Sequence, residues 1–390
     1  MATILVAAAC NDLEDDPGNA FVTRHFATIS KLRERHTVAL LGLRTTEVKF
    51  ELGKQLAGCR YDEVQVPPSS GTRSARVFLA SRQLVTHPLA AWERSIEKVA
   101  RSVAPDAILT IGPWLDIEYR VLFMRQPTLH LLEEDITPRL RGGQPESKRS
   151  ELLRNFEDLG KRRAGMVPSV VAVISEPEIA RARSRFPQAR VLCVPRTLAP
   201  ADWPLAQGVS QGNHLLVVGN LAEARNAEGL RDIIREMKSR GPSSQLPLRL
   251  VSAPGLHPML DEIKDLSWVD VAPPTDHVAE EYRSARVAVV PARHVTGFKT
   301  TVLEAWTSGC PVVCFPASAA TLGVGRDSAV VVGDTAAELV DQVIEVAGDD
   351  ARREELADIG IRFAERDFDH AAAERQLEAL LLTATARPRL

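Results

Sequence analysis

The chain has 390 residues, 45% of them hydrophobic and 25% charged, with 48 Lys+Arg against 51 Asp+Glu for a net charge of −3. This length exceeds one ordinary core and suits two domains, and the mix of apolar and charged residues excludes a disordered or fibrous chain. The small net charge, without basic runs interleaved with aromatics, excludes a nucleic-acid binder; no apolar run nears a membrane span, and "MATILVAAACNDLEDD" has no basic leader, so the cytoplasm is the expected compartment.

In chain order, "TILVAAAC" (3–10) is an apolar run of strand length, and "FVTRHFATISKLRERH" follows with helical spacing. "TVALLGL", "DEVQVP", a helical stretch from about 74 to 103, "DAILTIG" and "PTLHLLE" continue the alternation. A helix over about 146–163, "SVVAVIS", a helix near 176–185 and "ARVLCVP" complete it. Fully apolar strands alternating with helices predict a parallel sheet covered on both faces, here a doubly wound domain over 1–205.

In "RTLAPADWPLAQGVSQGN" (196–213) the periodicity stops, and Pro200, Pro204, Gly208 and Gly212 mark an irregular connection. A second α/β series occupies 206–369: "HLLVVGN", a helix over 227–240, "LPLRLVSAPG", "WVDVAPP", a helix over 278–284, "RVAVVPA", "PVVCFP", "AVVVGD" and a helix over 336–347. After a break at 367–369, a final helix over about 370–390 is expected to cross back to the first domain. Two doubly wound domains facing each other predict a cleft at the carboxyl ends of both sets of strands, where ligands bind in such sheets. The first 205 residues carry 29 Lys+Arg against 24 Asp+Glu and the rest 19 against 27, so a mildly basic first half suits an acidic small molecule.

"GFKTTVLEAWTSGCPVV" (297–313) is the stretch with most chemical content. Val302, Leu303, Ala305 and Trp306 suit the inner face of a short helix over about 301–308, with Gly309 as its terminator. Its amino end attracts anions: Gly297 permits close backbone approach, Lys299 supplies a cation, and Glu304, one turn in, is placed to accept two hydrogen bonds from a vicinal diol. The competing reading is a capping box, in which Thr301-x-x-Glu304 serves only its own helix and Lys299 is a solvated loop residue.

"TGFKTTVLEAWTSGCPVV" resembles the E-G-F-G-x-x-x-x-E-A motif, followed by G-x-P-V-V, of the retaining glycosyltransferases of family 4, which have the GT-B fold of two Rossmann-like domains. "LLVVGNLAEARNAEGL", "DHVAEEYRSARVAVVPA" and "ERDFDHAAAERQLEALL" are similar to that family's first donor-domain strand and turn, its segment leading to the motif and its terminal crossing helix. "DPGNAFVTRHFATISKLRERHTVALL" resembles the loop and helix after its first strand. The resemblance implies that Glu304 binds ribose hydroxyls, that Thr296 stands where the first motif glutamate falls, and that Arg225 is one half of a diphosphate clamp whose lysine is missing from "GNLAEARNAEG". Lys299 is then the replacement.

Beside these, Gly219, Asn220, Phe298, Thr300, Thr301 and Tyr282 are expected around the donor nucleotide, and Gly18, Asn19, Asp135 and His294 on the acceptor side. Asp367-Phe368-Asp369 matches an Asp-x-Asp metal motif but falls at a helix start, where aspartates cap, so no metal or cofactor is expected. "LGVGRD" reads as a loop and not a dinucleotide fingerprint. Five scattered cysteines without CxxC spacing are expected to be reduced and mostly buried. "GTRSARVFLASRQLVTHPLAAW" (71–92) is expected to pack on its own sheet, with a membrane surface as the less favoured alternative.

The expectation is a metal-independent retaining glycosyltransferase using a UDP- or GDP-sugar and an acceptor the sequence does not specify. Two rivals share the architecture. One is a sugar-nucleotide epimerase, for which no acid and base pair stands out; the other is a non-catalytic scaffold, suggested by Thr296 and the altered clamp.

Overall fold

The computed structural model describes residues 1–9, 29–44, 59–65, 91–112, 128–132, 168–200, 203–222, 224–241, 246–252, 255–273, 275, 277–295, 298–323 and 329–385. The chain divides into two compact units: residues 1–174, 178–194 and 374–390 form the first, and 175–177 with 195–373 form the second.

The first unit is a seven-stranded sheet of β1 (Thr3–Ala9), β2 (Thr37–Arg44), β3 (Arg60–Gln65), β4 (Ala107–Gly112), β5 (Thr128–Leu132), β6 (Val170–Val173) and β7 (Arg190–Cys193). Its order is β3-β2-β1-β4-β5-β6-β7 and every pairing is parallel. The central strands are buried on both faces: Leu5, Leu41, Ile108 and Val171 of one face form a core with Ile96 of α1 (Ala91–Val103) and Ala182 of α2 (Pro177–Arg185), and Ile4, Val6, Leu109 and Leu129 of the other face are buried as well. At its centre the buried Thr110 hydroxyl and His130 Nδ1 lie 2.8 Å apart, one polar group answering the other within the sheet. The helices expected over 146–163 and in the first part of 74–103, the segment 71–90 and the loop after β1 lie outside the described residues.

The second unit holds β8 (Leu215–Val218), α3 (Ala224–Ser239), β9 (Leu248–Val251), a 3₁₀ helix (Pro258–Asp265), β10 (Val269–Ala272), α4 (Val278–Arg283), β11 (Val287–Val290) and α5 (Thr300–Thr307). Then come β12 (Val312–Cys314), α6 (Pro316–Ala320), β13 (Val330–Val332), α7 (Ala336–Gly348), α8 (Asp350–Asp367) and α9 (His370–Thr385). The sheet is parallel with order β10-β9-β8-β11-β12-β13. Leu215, Val217, Leu248 and Leu250 pack on Leu230 and Ile233 of α3 and on Val340 and Val343 of α7. The 3₁₀ helix and α6 are short and were not expected from the sequence. Proline at the first helical position starts each, where a missing N–H costs nothing.

The segment 196–213, irregular in sequence, is laced to this unit by backbone bonds. Ala206 N donates to Thr307 O and Ser210 N to Gly309 O, both at 2.8 Å, and Gln211 N donates to Arg283 O at 3.1 Å. The buried Arg353 of α8 adds a bond from its Nη2 to Ser210 O at 2.6 Å. The final helix α9 begins in the second unit, but from Glu374 it belongs to the first, where Glu378 meets Arg35 at 2.7 Å and His36 at 3.0 Å.

Candidate functional site

In the second sheet the chain runs from β8 outward to β9 and β10, then returns to β11 and runs the other way to β12 and β13. The strand order therefore reverses between β8 and β11, and a crevice opens at their carboxyl ends in sheets of this kind. Gly219 (φ 146°) and Asn220 follow β8, and the loop leading to α5 follows β11. Helix α3 is set against that loop without a side chain between them: a Cβ on Gly229 would lie 1.8 Å from the Pro291 carbonyl oxygen, which only glycine allows.

Helix α5 is buried from Val302 to Thr307, because it fills the space between the sheet and α8. Trp306 anchors it, donating from Nε1 to Ala329 O at 2.9 Å and packing so closely that a Cβ on Gly360 would lie 2.5 Å from its ring. Gly309, at φ 70°, turns the chain out of the helix. The amino end is thereby held at the reversal point of the sheet.

There, Lys299 is the N-cap residue and makes no side-chain capping bond to the helix. Its backbone N donates to Thr321 Oγ1 at 3.2 Å, and its Nζ donates to Asn226 Oδ1 at 3.5 Å. Asn226, buried in the first turn of α3, donates in turn from Nδ2 to Asn220 O at 2.8 Å, while Asn220 Oδ1 accepts from Ala222 N at 3.1 Å. This chain of amides ties the cation on the β11 side to the loop on the β8 side. Thr300 opens the helix half-buried, and Thr301 Oγ1 is enclosed without a hydrogen-bond partner among the described residues.

The Thr301-x-x-Glu304 capping box does not form. The helix starts two residues earlier than that reading requires, with Lys299 and not Thr301 as N-cap, and the Glu304 carboxylate turns to Tyr282, whose hydroxyl donates to Oε2 at 3.2 Å. Both side chains are buried, at 8% and 1% exposure, so neither is a solvated surface group. Burial pushes the Glu304 carboxyl above the usual carboxylate range, against the opposing pull of the Tyr282 hydrogen bond and of the Arg196 and Lys299 charges. Burial, with Glu304 nearby, holds the Tyr282 phenol well above its ordinary value, so it remains a donor at neutral pH. Behind it lies Trp203, its ring centroid 6.2 Å from that of Tyr282 at 55°.

Not every expected residue presents a side chain here. The Phe298 ring turns inward, edge-on to Phe368 at 5.6 Å, and leaves its backbone to the loop. His294 is exposed after β11 with no hydrogen-bond partner among the described residues. Gly18, Asn19, Asp135 and Gly297, together with the side chain of Arg225 in the first turn of α3, lie outside the described residues. Of the Asp-x-Asp triplet, Asp367 pairs with Arg366 at 2.6 Å, Phe368 is buried, and Asp369 caps α9 by accepting from Ala372 N. Among the described residues no group of three metal-ligating side chains comes together, and no helix is long and apolar enough to cross a membrane. The described free cysteines are Cys59 and Cys193, half-buried, and Cys310 and Cys314, whose thiols burial pushes up to about 12.

Asn226, Thr321, Arg196 and Trp203 were missed by the sequence reading. Asn226 had a signal, since it stands beside Arg225 at a helix start facing the same loop; the others come from segments without a motif.

Residues 212–349, which contain Gly219, Asn220, Asn226, Tyr282, Lys299, Glu304 and Thr321, match the family described as glycosyl transferases group 1. The chain carries a glycosyltransferase domain. No curated protein sequence matches it. Among solved structures the glycosyltransferase chain is similar to sucrose-phosphate synthase from Thermosynechococcus elongatus, with a TM-score of 0.71 and 14% identity over 99% of this chain and 100% of that one. It is also similar to a glycosyltransferase from Rickettsia africae (TM-score 0.70, 9% identity, 99% of each chain). A third is HepE of Anabaena in complex with UDP and glucose (TM-score 0.66, 14% identity, 98% of this chain and 99% of that one). Identities this low establish the fold: two parallel-sheet, Rossmann-like α/β domains of the GT-B kind.

Proposed function

We propose that the protein is a retaining, metal-independent glycosyltransferase of family 4 type that takes its sugar from a nucleoside-diphosphate sugar. The observation that carries this reading is the buried Glu304 carboxylate one turn into α5, beside a cation at that helix's amino end and across from the β8 loop. A carboxylate so placed accepts both hydroxyls of a ribose, and its burial makes those hydrogen bonds strong. The diphosphate is assigned to Lys299 and Arg225, together with the amides of Gly219, Asn220, Gly297, Thr300 and Thr301.

These donors stabilise the negative charge that grows on the leaving diphosphate as the glycosidic bond breaks, and a metal ion is not needed to neutralise it. The departing phosphate oxygen takes the acceptor's proton on the face it leaves, so the new bond keeps the old configuration. Gly18, Asn19, Asp135 and His294 are assigned to the acceptor side. UDP is the first nucleotide to test, because the HepE structure holds UDP and glucose; GDP is the second.

Incubation with UDP-, GDP- and dTDP-sugars in the presence of EDTA tests the reading. A transferase liberates nucleoside diphosphate by transfer or slow donor hydrolysis, and NMR of the product reports a retained anomeric configuration. Alteration of the sugar alone identifies an epimerase, and no change with any donor identifies a binding module; either result overturns the proposal.

A further inference from the structure

Glu304 is held by something outside its own helix. Among the described residues its one hydrogen-bond donor is the Tyr282 hydroxyl at 3.2 Å, from α4, and that bond engages Oε2 only. Tyr282 is itself fixed: its ring is 1% exposed, Trp203 packs on it, and the neighbouring Arg283 donates from Nη2 to Pro204 O at 3.0 Å, tying α4 to the segment that carries Trp203. A glutamate has three side-chain torsions, and ordering them on ligand binding costs free energy that prior fixation avoids.

We propose that Tyr282 is a positioning residue, whose hydroxyl, backed by Trp203, presents the Glu304 carboxylate with Oε1 directed to a nucleoside's vicinal hydroxyls. The proposal rests on the reading of Glu304 as the nucleoside-binding carboxylate. It adds that nucleotide affinity is set in part by the 203–212 segment, which lies before the motif in sequence and packs behind it in space.

The charged and titratable groups around this pair are Arg196 from the segment entering the second unit, Lys299 before α5, and the buried Cys310 thiol after it, which faces Tyr282. Arg196 and Lys299 favour the ionised carboxylate and burial opposes it, with burial the larger. A diol donates only to lone pairs, and two good hydrogen bonds favour the ionised form. Affinity therefore rises with pH through the Glu304 pKa, and loss of the tyrosine hydroxyl, which also favours the ionised form, moves that rise to higher pH.

The test measures binding of UDP, GDP, ADP and dTDP to the full chain by calorimetry between pH 5 and 8, for the wild type, Tyr282→Phe, Glu304→Gln and the double variant. Tyr282→Phe is expected to weaken binding about 10-fold at pH 7, as for one hydrogen bond to a charged group, and to move the acid limb upward. Glu304→Gln leaves only the slope of the nucleotide's own terminal phosphate, which titrates at about pH 6 and is common to all variants, and the double variant binds no more weakly than Glu304→Gln alone. Wild-type affinity and limb in Tyr282→Phe, with a loss in Glu304→Gln, overturn the positioning role and leave the functional reading standing. Unaltered binding in Glu304→Gln, or no binding of any of the four nucleotides by the wild type, overturns the functional reading as well. Should Tyr282→Phe lack a cooperative thermal transition, 3-fluorotyrosine at position 282 keeps the shape with a more acidic hydroxyl. It is expected to move the limb downward, and an unmoved limb overturns the proposal.

Discussion

Two glutamates meet opposite fates around α4. Glu281 faces a groove of about 950 Å³ at the amino ends of β8, β9 and β10, and Glu304 lies at the carboxyl-end site. In the groove Arg249 grips Glu281 through two bonds, at 2.6 and 2.9 Å, and also bonds Asp270. The guanidinium holds the Glu281 carboxyl below the usual range, and the three charges satisfy one another. Glu304 has a neutral phenol instead, and burial raises its pKa. The lesson is that a carboxylate already neutralised by an arginine supports the fold, whereas one kept dry beside a neutral donor has its strongest interactions still to make with a ligand.

The largest expected effect that separates the two comes from Glu304→Ala, which should lower nucleoside-diphosphate affinity about 100-fold with the fold retained. Glu281→Ala should leave that affinity unchanged, and a similar loss in both, read by calorimetry, would break the comparison. Lys299→Ala comes next: turnover of donor should fall about 100-fold, as for an electrostatic group acting on the leaving diphosphate, while binding of the nucleoside monophosphate changes little. Equal losses in both would make Lys299 a general support of the loop.

Gly229→Ala should destabilise the second unit by about 1–3 kcal/mol, because α3 must retreat from the Pro291 carbonyl, and nucleotide affinity should fall with it. Urea unfolding with and without nucleotide reads both. The smallest effects are two opposite pH slopes of stability. Because Glu281 has a lowered folded pKa, its contribution is present above the unfolded carboxylate pKa and is lost as pH falls through the folded value. Its exposure to solvent keeps this under about 1 kcal/mol. Because Glu304 has a raised folded pKa, ionising it opposes folding, and stability declines as pH rises from the unfolded value through the folded one. Glu281→Gln should remove the first slope and Glu304→Gln the second, measured by denaturant midpoints from pH 4 to 8.

Among the described residues the alternation of strands and helices was readable in the sequence except for the 3₁₀ helix and α6, and α5 was placed to within one position by Val302, Trp306 and Gly309. Those signals are local, since each strand declares its burial in its own composition. The fate of Glu304 was not local. Spacing alone favoured a capping box, and the choice was made by Tyr282, 22 residues away, which offers a buried donor where the helix's own first turn offered a solvated one. Trp203 and Arg196 were passed over because they stand in a segment whose prolines and glycines read only as a connection.

By itself the sequence determined two parallel α/β series, the helix of the GFKTTVLEAW stretch and the residue types able to meet a phosphate and a diol. Only the tertiary structure decided which of those residues meet. The strand order that brings β8 beside β11 is a property of the whole sheet. The hydrogen bond that orients Glu304 comes from another helix, and an unsatisfied buried carboxylate takes whichever donor the packing supplies.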